Sequence, residues 1–195
     1  MYTRQVKAHL PTKWGDFELY SYAENHDETQ PHLALVHKDM DANTIVPVRI
    51  HSECLTGDLL GSLRCDCGEQ FEASMDYISQ YHGVLVYLRQ EGRGIGLINK
   101  LDAYNLQDEG LSTIEANIHL GFEPDERDFD IAITILKDLN INRIDLLTNN
   151  PEKIAAIDHS DIVLHSRIPL IIPSKRENES YLKVKANEMG HLFTK

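Results

Sequence analysis

The chain has 195 residues, 42% hydrophobic and 26% charged, the balance of an ordinary soluble globular protein long enough to bury a substantial core. Nineteen basic against thirty-one acidic side chains give a net charge of −12, which excludes a general affinity for nucleic acid or an anionic membrane and leaves room for a local basic cleft that takes a phosphorylated small molecule. The opening Met-Tyr-Thr-Arg-Gln-Val-Lys lacks the apolar core of a signal peptide, and no stretch nears the roughly 20 apolar residues of a membrane span, so the expected location is the reducing cytoplasm.

Period-two alternation in Phe17 and Leu19, Leu33 and Leu35, and Val46, Val48 and Ile50 predicts strands over 4–10, 14–22, 32–38 and 45–51. Trp14 is expected to pack under the first hairpin. Residues 49–68 then hold all three cysteines, Cys54, Cys65 and Cys67. An odd count without a secretory signal argues against a disulfide framework. A C-x-C pair in extended or looped backbone projects both sulfurs to one side. Tetrahedral zinc suits such a set, and three protein ligands leave a fourth position for water, as in catalytic sites. His51, three residues before Cys54, would instead close a structural four-ligand site, and inert buried thiols are a third reading. The density of polar residues here (Arg49, His51, Ser52, Glu53, Thr56, Asp58, Arg64, Asp66) favours a reactive centre.

Phe71, Met75 and Ile78 predict a helix over 69–81, stopped by Gly83 before a buried strand at 84–88. That strand runs into a loop, 89–96, whose glycines and following helix start suit a phosphate, with Arg93 as a bidentate ligand; a tight turn is the alternative. The dinucleotide fingerprint is not met, because Leu97 stands where its third glycine belongs. The next helix reaches about 108, with Ile98, Leu101 and Tyr104 as an apolar stripe. The acidic loop 121–128 leads, with Asp128 as cap, into an amphipathic helix on Ile131, Ile135, Leu136 and Leu139. A strand at 143–147 precedes Asn150 as N-cap and Pro151 at the first helical position. Lys153 opposes the dipole of that first turn, a hint of a ligand role. A short strand over 161–167 and a last helix over 178–189, closed by Gly190, complete the order. Strands first, then mixed helices and strands, predict one α+β (mixed α/β) domain over 1–195, built around a mixed sheet.

These residues together resemble GTP cyclohydrolase II, which opens the guanine ring of GTP at the start of riboflavin synthesis. The resemblance covers nearly the whole chain. It rests on Arg49-Ile-His-Ser-Glu-Cys-Leu-Thr-Gly-Asp58, Leu63-Arg-Cys-Asp-Cys-Gly68, Gln90-Glu-Gly-Arg-Gly-Ile-Gly-Leu97, Gly121 to Asp128, and Leu147-Thr-Asn-Asn-Pro151. It implies zinc on Cys54, Cys65 and Cys67, and GTP contacts from Arg49, Ile50, His51, Ser52, Glu53, Gln70, Glu91, Gly92, Arg93, Thr113, Thr148 and Lys153. It further implies Asp125 as proton acceptor, Arg127 as nucleophile toward the α-phosphorus and Tyr104 in ring opening. Formate, pyrophosphate and a diaminopyrimidinone riboside 5′-phosphate would be the products, with Mg2+ on the triphosphate, in a homodimer. Gly61, Leu111, Ser112 and Val184 depart from the family's pattern without touching its motifs.

The chemistry adds two expectations. Zinc on three thiolates carries a net negative charge, so backbone N–H groups, Arg64 or His51 are expected to temper it, with Tyr104 or Glu53 as proton carrier. A guanidinium stays protonated, with a pKa above about 12, so Arg127 acts more easily as an electrostatic clamp than as a nucleophile. A zinc nucleotide deaminase, which releases ammonia, and a zinc-stabilised purine-nucleotide-binding module without turnover are the competing functions.

Overall fold

The computed structural model describes residues 1–187 and 189–192. Among these, seven strands form one mixed sheet in the order β1-β2-β3-β5-β4-β6-β7. The strands are β1 (Thr3–Thr12), β2 (Gly15–Ala23), β3 (His32–His37), β4 (Val46–Ser52), β5 (Val84–Leu88), β6 (Arg143–Leu147) and β7 (Val163–Ile168). The first three and β5 pair antiparallel, whereas β5, β4, β6 and β7 run parallel. The mixed α/β expectation therefore holds.

Helices cover both faces. On one side α2 (Cys67–Tyr81) packs Met75 and Ile78 against Phe17 and Leu85. On the other, α5 (Asp130–Asp138) and α6 (Pro151–Asp158) bury Ile135, Leu136 and Ile157 against Val48, Ile50, Val86 and Ile144. Strand alternation does the sorting: Val46, Val48 and Ile50 of β4 enter the α5/α6 core, while Arg49 and His51, at the alternate positions, turn toward α2.

Several local signals read from the sequence appear as expected. Asn150 caps α6, its Oδ1 accepting from Glu152 N at 2.8 Å, with Pro151 next. Asp128 accepts from Asp130 N at 2.8 Å, although Phe129 is the N-cap residue of α5. Trp14 sits at the first hairpin's turn and packs on Phe71 of α2, donating to Asp76 at 2.9 Å. Helix α2 ends on His82 in the left-handed conformation rather than on Gly83. The last helix, α7, spans Glu179–Asn187, shorter than the expected range; Glu188, inside that range, lies outside the described residues.

One helix reverses the expectation. In α3 (Gly96–Asp108) the stripe of Ile98 and Leu101 faces outward, at 78% and 45% exposure, and Lys100 and Ala103 are the buried residues. Its inner face lines a polar cleft rather than the core.

Candidate functional site

The carboxyl ends of parallel strands β4, β5 and β6 open onto a common cleft, the usual place for a ligand in such sheets. After β4, the chain places Cys54 ahead of the one-turn helix α1 (Leu55–Asp58); Cys65 follows in the next loop, and Cys67 opens α2. The sulfurs all lie within 4.8 Å of one another, and those of Cys54 and Cys65 are 3.7 Å apart. That is too long for a disulfide, whose sulfurs sit about 2.05 Å apart. It matches the edge of a tetrahedron with arms of about 2.3 Å, the zinc–sulfur length.

The backbone makes room for this spacing. A Cβ on Gly57 would lie 2.9 Å from the Cys65 sulfur and 3.2 Å from that of Cys54. Hydrogen bonds from Cys65 and Cys67 pull the Cys54 thiol well below its ordinary pKa, while the same contacts with Cys54 push Cys65 up to about 11 and raise Cys67 as well. One thiolate forms readily here, and three need a cation. The donor set therefore fits zinc.

His51 does not complete the set. Its Nε2 lies 3.0 Å from each carboxylate oxygen of Asp58, and its ring stacks on Tyr87. Asp58 also accepts from Tyr87 Oη at 2.9 Å and from Cys54 N at 3.1 Å, so it fastens the cysteine loop to β4 and β5. Arg64 is engaged by Asp108 and lies over the Tyr104 ring. Among the described residues, the cation that touches a cysteine is Lys100, with Nζ 3.2 Å from the Cys54 sulfur. A second group of potential ligands, His37, Asp39 and His82, sits outside the cleft; there Asp39 N donates to His37 Nδ1 and the two rings stack.

Around the cysteines stand Glu53, Tyr104, Thr113 and the loop 91–93. Tyr104 is thus part of the cleft wall rather than of the core. Its hydroxyl meets Thr56 Oγ1 at 3.2 Å, and burial raises its pKa despite Thr56 and Lys100. Burial likewise raises Glu53, which Arg89 holds at 2.7 Å. Thr113 opens α4 (Thr113–His119), fixed by a capping box between Ser112 and Glu115. In the glycine loop Arg93 adopts a positive φ of 65°, uncommon for a side-chain-bearing residue, and its NH2 group is buried without a partner. Gly94 is needed beside it, because a Cβ there would lie 3.0 Å from the Glu126 carbonyl oxygen. The loop 121–128 thereby closes onto the glycine loop through Glu126 N and Arg93 O at 3.0 Å.

The other half of the cleft is cationic. Arg49, Arg93, Arg127, Lys153 and Lys185 converge there, in a chain of net charge −12. Arg49 donates to Leu147 O at 3.0 Å and to Gln70 Oε1 at 2.6 Å, its Nε has no partner, and burial lowers its pKa to about 10. Lys153 donates to Ile50 O at 2.8 Å and is held well below its ordinary pKa by burial and by Arg49 and Arg127. Arg127 forks onto Asp125; burial works against both charges, and their pairing outweighs it, raising the arginine and lowering the acid. Thr148 Oγ1 accepts from Asn150 N and borders the same space. Ser52, Cys67, Arg93, Arg127 and Tyr181 border both halves, so the cleft is continuous.

Two expected contact residues have their side chains engaged by the protein itself. The Ile50 side chain is fully buried in the α5/α6 core, and only its carbonyl reaches the site, through Lys153. The Glu91 carboxylate is taken up by Leu55 N, Gly92 N and Lys100. The sequence reading missed Lys100, Tyr181 and Lys185. Lys185 donates to Asp66 at 2.8 Å, between the last two cysteines, from a helix some 120 residues downstream. A helix there was legible in the sequence; the destination of its lysine was not.

Comparison with known proteins gives the following. The family model described as GTP cyclohydrolase II matches residues 3–169. The chain is 53% identical to a GTP cyclohydrolase-2 of Picrophilus torridus, covering 96% of this chain and 97% of that protein. It is 52% identical to the riboflavin biosynthesis protein RibBA of Bacillus cereus over 98% of this chain, which spans about half, 48%, of that longer protein. A solved structure of RibBX, a two-domain 3,4-dihydroxy-2-butanone 4-phosphate synthase from A. baumannii, shows a TM-score of 0.49 at 23% identity, covering 88% of this chain and 40% of that one. Among the described residues, no helix is long and apolar enough to cross a membrane.

Proposed function

The chain belongs to the GTP cyclohydrolase II family, whose members open the guanine ring of GTP in riboflavin synthesis, and we propose that it performs this reaction in the cleft at the ends of β4, β5 and β6. The products are formate, pyrophosphate and 2,5-diamino-6-ribosylamino-4(3H)-pyrimidinone 5′-phosphate. One observation carries the reading: a close-set cysteine triad and a cationic pocket share the walls Arg93 and Arg127, so one nucleotide can lay its purine at the sulfurs and its triphosphate among the cations.

Cys54, Cys65 and Cys67 would hold the zinc, which supplies Lewis acidity toward hydrolysis of the ring carbon between two nitrogens. Tyr104, kept protonated by burial, donates a proton to a ring nitrogen as the C–N bond breaks, with Glu53 within the same pocket as the alternative carrier. Arg49, Arg93, Lys153 and Lys185 neutralise the triphosphate, together with a Mg2+ ion carried on it. The unpartnered donors of Arg49 and Arg93 and the desolvated ammonium of Lys153 are supplied with partners when phosphate enters. Asp125 keeps Arg127 charged and oriented toward the shared wall, which supports an electrostatic clamp at the α-phosphorus over covalent attack. His51, Gln70, Thr113 and Thr148 position the nucleotide. The exposed Leu59, Leu60 and Ile98 offer apolar surface for the homodimer, which light scattering would test.

The test is formate and pyrophosphate release from GTP by zinc-loaded protein with Mg2+ in one reaction. Both products support the proposal. Ammonia in place of formate would point to a deaminase, and bound GTP with neither product to a nucleotide-binding module.

A further inference from the structure

Zinc on three thiolates accepts electron density poorly, in a reaction that needs a Lewis acid, and the two side chains expected to moderate it are taken up: His51 by Asp58 and Arg64 by Asp108. Lys100 is in their place. It projects from the inner face of α3, one turn past the glycine loop, with its side chain 11% exposed. Its three ammonium donors have three acceptors: the Cys54 sulfur at 3.2 Å, Thr56 Oγ1 at 3.0 Å and Glu91 Oε1 at 2.7 Å. Glu91 is itself fixed by Leu55 N at 2.6 Å and Gly92 N at 2.8 Å, so the ammonium cannot swing away from the sulfur. Thr56 continues the contact to the Tyr104 hydroxyl at 3.2 Å.

We infer that Lys100 is a positioning residue for the ring-opening half of the reaction, withdrawing charge from the Cys54 sulfur by a charge-assisted hydrogen bond and setting the Thr56–Tyr104 pair against the metal. The inference rests on the function proposed above and adds a residue that acts through Cys54 and Thr56 rather than on GTP. An N–H⁺ donor lowers the energy of the sulfur lone pair, so the metal it binds becomes a better electron acceptor. Lys100 stands outside the cationic half of the cleft, and the triphosphate does not depend on it.

The experiment exchanges cobalt(II) into the wild-type, Lys100→Met and Lys100→Gln proteins and records the cobalt–thiolate charge-transfer band, with formate and pyrophosphate release measured on the zinc forms. In Lys100→Met the band moves to lower energy, formate kcat falls about 10- to 100-fold, the range for such outer partners, and KM for GTP stays constant. Lys100→Gln, which keeps an uncharged N–H, gives a smaller shift in the same direction. A wild-type band in either variant overturns the inference. So does loss of cobalt uptake by folded variants, because removing one cation favours binding of another. If the wild type takes up cobalt yet releases no formate as the zinc enzyme, the proposed function fails and the ring-opening role of Lys100 with it, while the band shift still decides whether Lys100 withdraws charge from the Cys54 sulfur.

Discussion

Gly57→Ala sets two opposed effects against each other. Gly57 lies in α1 without a positive φ, so alanine there would ordinarily stabilise the helix by about 0.5–1 kcal/mol. The added methyl, however, lies 2.9 Å from the Cys65 sulfur, 3.2 Å from the Cys54 sulfur and 3.0 Å from Cys67 Cβ. All three cysteines must give way by several tenths of an ångström, and the 3.7 Å edge between sulfurs is lost. Overpacking of this kind costs about 1–3 kcal/mol. A metal-free loop can relax, whereas the metal-bound one cannot, so the cost falls on binding. The zinc Kd should rise about 5- to 150-fold, at about 1.4 kcal/mol per tenfold. The melting temperature of the metal-free protein should hold or rise. Competition against a chromophoric chelator measures the first quantity and calorimetry of chelator-treated protein the second. An unchanged zinc Kd would refute the reasoning that these sulfurs are spaced for a metal.

Other outcomes follow from the cleft. Tyr104→Phe removes the hydroxyl beside Thr56 and should lower formate release by about 100- to 10,000-fold while pyrophosphate release continues, read by assaying both products. Arg127→Lys keeps the charge but not the fork onto Asp125, and should lose pyrophosphate release by a smaller factor than Arg127→Ala; intact-protein mass spectra during turnover should show no nucleotidyl adduct, and finding one on Arg127 would establish covalent attack. His191 is held at about 4 by burial and by Lys185, Arg127 and Lys153. The fold therefore binds it neutral, and below the unfolded value of about 6.5 the unfolded chain takes up the extra proton. Stability should fall as pH drops from about 6.5 to 4, by up to about 1.4 kcal/mol per pH unit for this one proton, and His191→Asn should flatten that part of the denaturation profile.

Short-range physics carried most of what the chain alone could reveal. Alternation at Val46, Val48 and Ile50, the Asn150-Pro151 helix start and the two-residue reach of Cys65-Asp66-Cys67 all act over a few bonds, so strands, helix ends and the cysteine cluster were legible without a fold. The stripe of Ile98, Leu101 and Tyr104 misled because periodicity reports an apolar face and not what covers it; here Ile98 and Leu101 face outward while Tyr104 joins Lys100 and Ala103 on the cleft. Only the tertiary structure brought Lys100 to Cys54 across 46 residues and Lys185 to Asp66 across 119, or spent His51 on Asp58 rather than on a metal. Those meetings depend on the order in which strands pair, β4 between β5 and β6, which is decided by burying the whole sheet at once. No local pattern in the chain encodes that order, because the free energy that selects it belongs to contacts between segments far apart in sequence.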